Sequence, residues 1–170
     1  MTAARPQAGS QVMLDIDLGR QSLRVRAADG RPRRAYPVST GANGPGEQHG
    51  SGRTPRGRHV IRAKIGAGQP PGAVFRGRRP TGEIYRPGMR AAQPERDWIL
   101  TRILWLSGLE PGVNRLGKVD TMRRYIYIHG APDEVELSRP GSAGCIRMAN
   151  ADLLELFAQV APGTPVLIHE

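Results

Sequence analysis

The chain holds a single cysteine, Cys145, in the run Ser142-Ala143-Gly144-Cys145-Ile146, and one of its four histidines, His129, lies sixteen residues upstream. These two residue types suffice for nucleophilic catalysis. A thiol with an ordinary pKa near ~8.5 is mostly protonated at neutral pH, and it attacks only once its proton is removed. A neighbouring imidazole can take that proton. Gly144 allows a carbonyl group to approach the backbone closely. A tight turn over residues 142–145 would aim its amide N–H groups at a developing oxyanion. The competing reading is plain packing, because free cysteines are among the most buried residue types. Residue type and spacing leave both open.

Whether the pair meets depends on the elements around it. Val12, Leu14 and Ile16 alternate with polar residues before Gly19, and Leu23 and Val25 do so after it. This predicts a β-hairpin turning near Gly19, with the two apolar sets on separate faces. "PRRAYPVST" and "RHVIRAKIG" read as the next two strands, the latter with Val60 alternating against Arg58 and Arg62. Residues 67–97 are rich in Gly, Pro and Arg, with Phe75 and Tyr85 isolated, and read as a long lid-like loop. "DWILTRILWLSG" and "RRYIYIHG" are strand-like, the second ending on His129. One helix follows Cys145: Asn150 or Asp152 is its expected N-cap, Leu153, Leu154, Phe157 and Val160 recur at helical spacing, and Pro162-Gly163 stops it. "TPVLIHE" is a last strand. The expected fold is mainly β and largely antiparallel, a sandwich or partly open barrel. It has one principal C-terminal helix and a long loop insertion. Residues 12–170 form the domain and 1–11 a lead-in.

Composition narrows the function classes. At 170 residues the chain fits one domain and can bury a core without disulfides or metal. One cysteine excludes an internal disulfide. No run approaches the ~18 apolar residues of a membrane-crossing helix. The first sixteen residues show no apolar leader core, which leaves cytoplasmic retention or an export segment not encoded in this chain. The net charge of +10 is almost wholly arginine, Lys64 and Lys118 being the only lysines. Such a charge attracts nucleic acid, anionic lipid or an acidic polymer, or reflects codon composition. Aromatics at 5% with no groove-reading motif speak against a nucleic-acid module. His49 and His59 have no companion cysteines, so no zinc site is expected, and His169 reads as an inert terminal residue.

The run Ile128-His129-Gly130 followed by "SAGCIRMANADLLELFAQVAPGTPVLI" resembles the catalytic signature of the L,D-transpeptidase (YkuD-type) domain. "YPVSTG", "TPRGRHVI" and "RYIYIHG" resemble strands of that family in the same order, so the resemblance runs from Met13 to Ile168. It implies a cell-envelope enzyme that acts on peptidoglycan stem peptides, with no metal or cofactor and no membrane insertion. Cys145 would attack the carbonyl of the third stem residue and release D-alanine. An amine of another stem would then take the acyl group. The same resemblance makes His129 the base and later the acid, oriented by the Gly130 carbonyl. Arg147 would shape the pocket and meet a substrate carboxylate, which suits a planar, permanently charged fork. A structural ion pair is the other reading for Arg147. Ser142 and Gly144 fall in the expected substrate-binding group, Ser142 chiefly as a cap of the turn, and Tyr127 is expected to pack on its strand. The chain departs from the family at Ala143, where many members carry a second histidine; any relay through that residue is lost. Amine or water as acceptor stays open, water giving an L,D-carboxypeptidase.

Overall fold

The computed structural model describes residues 11–170, so all of the expected lead-in except Gln11 lies outside the described residues. Alternation builds the first hairpin. β1 (Val12–Asp17) and β2 (Ser22–Ala27) pair antiparallel around Gly19, with Leu14 opposite Val25 and Ile16 opposite Leu23. Directly opposed residues project to the same side of a sheet, so the two apolar sets share one face rather than two. All five of these side chains belong to one buried cluster. Full burial of each such side chain contributes roughly 1.5–3 kcal/mol.

β3 (Pro32–Ser39) extends the hairpin, and β4 (Gly57–Ile65) follows the glycine-rich loop. On β4 the inward residues are His59 and Ile61. Val60 shares its parity with Arg58 and Arg62 and is only half-buried, which corrects the expected alternation. The buried polar His59 hides the pattern.

The segment 67–97 is not an irregular loop. It folds as a second hairpin, β5 (Ala73–Arg76) and β6 (Arg79–Ile84), and a single helical turn, α1 (Met89–Ala92). Its tight turn is Gly77-Arg78, both residues at positive φ (55° and 64°). Phe75 and Val74 anchor it by burial. Tyr85 meets Trp98 edge-on with centroids 5.1 Å apart, and Arg96 pairs with Glu83 at 2.6 Å.

β7 (Ile99–Gly108), β8 (Tyr127–Gly130), β9 (Ile146–Met148), α2 (Asn150–Gln159) and β10 (Pro165–His169) complete the chain. The strand order is β4-β10-β1-β2-β3-β9-β8-β7-β5-β6, and an added β4–β7 pairing closes eight strands into a barrel-like ring. β5 and β6 hang from the N-terminal end of β7, where Val74 faces Leu100. Most pairings are antiparallel, but β1–β10 and β8–β9 are parallel. α2 packs Leu153 and Leu156 into the main core, joined by Val160 just past its end, whereas Leu154 stays half-buried. Its N-cap is Ala149, which has no polar side chain to cap with; the expected caps Asn150 and Asp152 both lie inside the first turn. No helix among the described residues is long and apolar enough to cross a membrane.

Candidate active site

Strand alternation decides which residues of β8 and β9 are neighbours. Ile128 and Ile146 are register partners and point into the core, as do Ile126 and Met148. The intervening residues Tyr127, His129, Cys145 and Arg147 therefore share the opposite face. His129 is the register partner of Arg147. The Tyr127 N–H lies 3.3 Å from Cys145 Sγ, and the thiol lies 3.4 Å from the Tyr125 carbonyl. Cys145, the residue just before β9, thus sits diagonally from His129 across the parallel β8–β9 pair, packed with Phe75, Ile103 and Tyr127. No hydrogen bond joins ring and sulfur among the described residues.

The His129 tautomer follows from its partner. Nδ1 is 2.7 Å from the Gly130 carbonyl oxygen. A carbonyl only accepts, so Nδ1 carries the proton and Nε2 presents a lone pair. Gly130 is held in turn: a Cβ there would collide with Asn150 Oδ1 and lie 2.6 Å from the Leu100 carbonyl oxygen. Asn150 donates to Ala131 O at 3.0 Å and accepts from Thr101 Oγ1 at 2.6 Å, which ties the start of α2 to the bulge of β7 beside His129.

The 142–145 turn is fixed by its own polar atoms. The Ser142 hydroxyl accepts from Gly144 N–H at 3.1 Å and donates to the Cys145 carbonyl. Gly144 has φ 123°, a region that strongly favours glycine, and a Cβ there would sit 3.1 Å from the Arg53 carbonyl oxygen. Thr54 Oγ1 donates to Gly144 O at 2.8 Å. The Gly144 amide is therefore engaged by Ser142 within the turn. Ser142 thus caps the turn, as expected of it, with the Gly144 amide as its donor. Arg147 donates to Ser39 Oγ at 2.9 Å, and its Nε is buried without a partner. It makes no ion pair among the described residues, so the structural-pair reading does not hold in the described chain.

Burial sets the electrostatics. It pushes the Cys145 thiol up to about 12, partly offset by the Tyr127 N–H and by Arg124 and Arg147, while Asp97 adds to the rise. It pulls His129 below the ordinary imidazole range, opposed by Asp97 and by the bond to Gly130. Both shifts favour uncharged forms, a thiol beside a neutral imidazole, over a preformed ion pair. Burial, then the nearby Arg90 charge, also lowers Arg147.

Spacing gave no signal for several contributors. Arg124 donates to Gly46 O at 3.2 Å and to the Arg53 carbonyl, holding the loop that backs Gly144. Ser39, Thr54, Asn150 and Asp97 reach the site only through tertiary pairing. Two expected bystanders have structural roles. His59 is buried and bonded to Thr121 Oγ1 at 2.9 Å, and His169 pairs with Asp15. Among the described residues no group of three His, Cys, Asp or Glu side chains could hold a metal ion.

The model of the YkuD family, the L,D-transpeptidase catalytic domain, matches residues 11–168. No curated protein sequence matches the chain. Among solved structures it resembles an L,D-transpeptidase from Mycobacterium smegmatis (22% identity, TM-score 0.56, covering 94% of this chain and 59% of that one). It also resembles residues 123–326 of the L,D-transpeptidase from Xylanimonas cellulosilytica (20% identity, TM-score 0.52, 99% and 65%). L,D-transpeptidase 3 from Mycobacterium tuberculosis, solved with a faropenem-derived adduct, is a third (16% identity, TM-score 0.56, 94% and 60%). The chain spans less than two thirds of each of these, and at such identities they speak for the fold alone. The family model covers nearly the whole sequence, and on that ground the chain belongs to the L,D-transpeptidase catalytic domain family.

Proposed function

We propose that the domain is an acyltransferase that uses Cys145 on peptidoglycan stem peptides at the cell envelope, in line with its family. The observation that carries this reading is the shared face of β8 and β9. That face sets the Cys145 thiol diagonally from an imidazole whose Nδ1 is already committed to Gly130. Since burial disfavours both charges, the proton moves to His129 Nε2 as the sulfur–carbon bond forms, rather than beforehand. The tetrahedral intermediate collapses as His129 returns the proton to the departing D-alanine amine, leaving a thioester on Cys145. A second amine attacks the thioester, again losing its proton to His129, and the thiol is regenerated with a new amide bond. Arg147, charged and without a carboxylate partner among the described residues, is available for a substrate carboxylate.

The test is Cys145→Ala with a stem tetrapeptide, read by mass spectrometry. Wild type should yield a cross-linked dimer and free D-alanine, and the variant neither. Turnover in the variant would sink the proposal. A trimmed tripeptide without dimer would instead assign the hydrolytic outcome to the same site. Because one structural relative carries a faropenem-derived adduct, intact-mass analysis after penem treatment gives an independent check. Wild type should gain one adduct, and Cys145→Ala none.

A further inference from the structure

Beside Cys145, on the same side of β7 and β8, lies a group the mechanism above does not use. Arg78, at the tip of the β5–β6 hairpin, places its guanidinium 4.9 Å from the Trp105 ring centroid and 4.8 Å from that of Tyr125. Its Nη1 donates to Tyr127 Oη at 3.0 Å. The two rings are 6.1 Å apart and tilted by 40°, so they form a corner that fixes the guanidinium plane. Nε and Nη2 make no hydrogen bond among the described residues, and no carboxylate there pairs with Arg78. Tyr127 is the same residue whose backbone N–H contacts Cys145 Sγ, so the guanidinium stands one tyrosine side chain from the sulfur. The tip cannot swing freely: Gly77 and Arg78 form its turn, and Phe75, three residues earlier, is buried against the cluster that holds Cys145.

A guanidinium oriented by aromatic faces, with in-plane donors left over, is built to receive a planar anion. Its orientation is set in advance, so little side-chain entropy is lost when the anion arrives. We propose that Arg78 is a specificity-determining residue that receives a free carboxylate of the peptide bound at Cys145. This rests on the proposed function and adds to it a selection rule: peptides with a free carboxylate on the Arg78 side are preferred over their amides. Arg147 lies on the His129 side of the sulfur and Arg78 on the Tyr127 side, so the two arginines bracket the reacting thiol and can hold two separate carboxylates.

The experiment compares stem tetrapeptides with free and amidated carboxylates on wild type, Arg78→Gln and Arg78→Lys. Wild type should prefer the free form, and Arg78→Gln should lose roughly tenfold in kcat/KM on it, through KM, with little change on the amide. Arg78→Lys should recover part of the loss. A function-independent arm alkylates Cys145 with iodoacetate and iodoacetamide: Arg78→Gln should slow the anionic reagent more than the neutral one. An Arg78→Gln protein that keeps the free-over-amide preference, or that loses both substrates equally, overturns the inference while leaving the proposed function standing. If no stem peptide is turned over yet the reagent ratio follows Arg78, the function falls and the anion-receiving role remains. Should Arg78→Gln fail to fold, Arg78→Met removes the charge on an unbranched stem, and an unchanged free-over-amide preference is then the overturning result.

Discussion

His59 on β4 and His129 on β8 are each 1% exposed, and each donates Nδ1 to a carbonyl close in sequence, Gly57 at 3.0 Å and Gly130 at 2.7 Å. Burial lowers the pKa of both, that of His59 to about 4. They differ at the second nitrogen. His59 Nε2 is closed by Thr121 Oγ1, while the bonds of His129 among the described residues run through Nδ1 alone. The first imidazole is a satisfied core group. The second keeps a lone pair on the face that carries Cys145. Burial and a carbonyl partner thus do not separate the two histidines; the second nitrogen does.

The largest effect expected from this contrast is kinetic. His129→Gln should lower turnover by about 10²–10⁴-fold with little change in Tm, whereas His59→Gln should leave kcat nearly intact in whatever fraction folds. A His129→Gln enzyme at wild-type rate would falsify the assignment.

Next comes pH. His59 titrates near ~6.5 when unfolded and at about 4 when folded, so the unfolded chain binds the extra proton first. Its contribution is fully present above pH ~6.5, falls as pH drops towards 4, and is gone below that, a loss on the order of 3 kcal/mol. Urea midpoints measured between pH 7.5 and 4 should show the decline, and His59→Gln should flatten it. An equal slope in both proteins would break the comparison.

Gly130→Ala should cost about 1–3 kcal/mol, since its methyl group runs into Asn150 and the Leu100 carbonyl, and should also tilt the carbonyl that fixes His129. Denaturation and the pH profile of turnover would report the two parts separately. Smallest is Thr121→Val. It leaves His59 Nε2 unpaired and should destabilise by about 1–2 kcal/mol with activity unchanged, so a fall in kcat there would mean the two regions are coupled.

Some of this was legible in the sequence because it is local. The first hairpin, the stop at Pro162-Gly163 and the final strand follow from alternation and turn residues. The His129–Gly130 contact is between chain neighbours. Where the reading failed, a distant partner outweighed the local signal. Gly77-Arg78 lacks the Asn-Gly or Asp-Gly pattern of a tight hairpin, and β5 is a strand because β7 offers Leu100 and Ile99 as partners. Asn150 reads as a helix cap but is drawn to Ala131 and Thr101.

The amino-acid order by itself determined the candidate chemistry, a thiol, an imidazole and a guanidinium, together with the glycine that a φ of 123° favours before Cys145. It also set the period-two alternation that puts Cys145, just before β9, and Arg147, within it, on the side away from Ile146 and Met148. Only the tertiary structure decided that β8 and β9 lie parallel in a register that sets the sulfur beside Tyr127 and Arg147 beside His129. It alone closed one imidazole with Thr121, left the other open, and raised the thiol by burying it. The physical reason is range: side-chain period and backbone torsion act over a few residues, whereas desolvation and hydrogen-bond completion depend on whichever distant segment arrives.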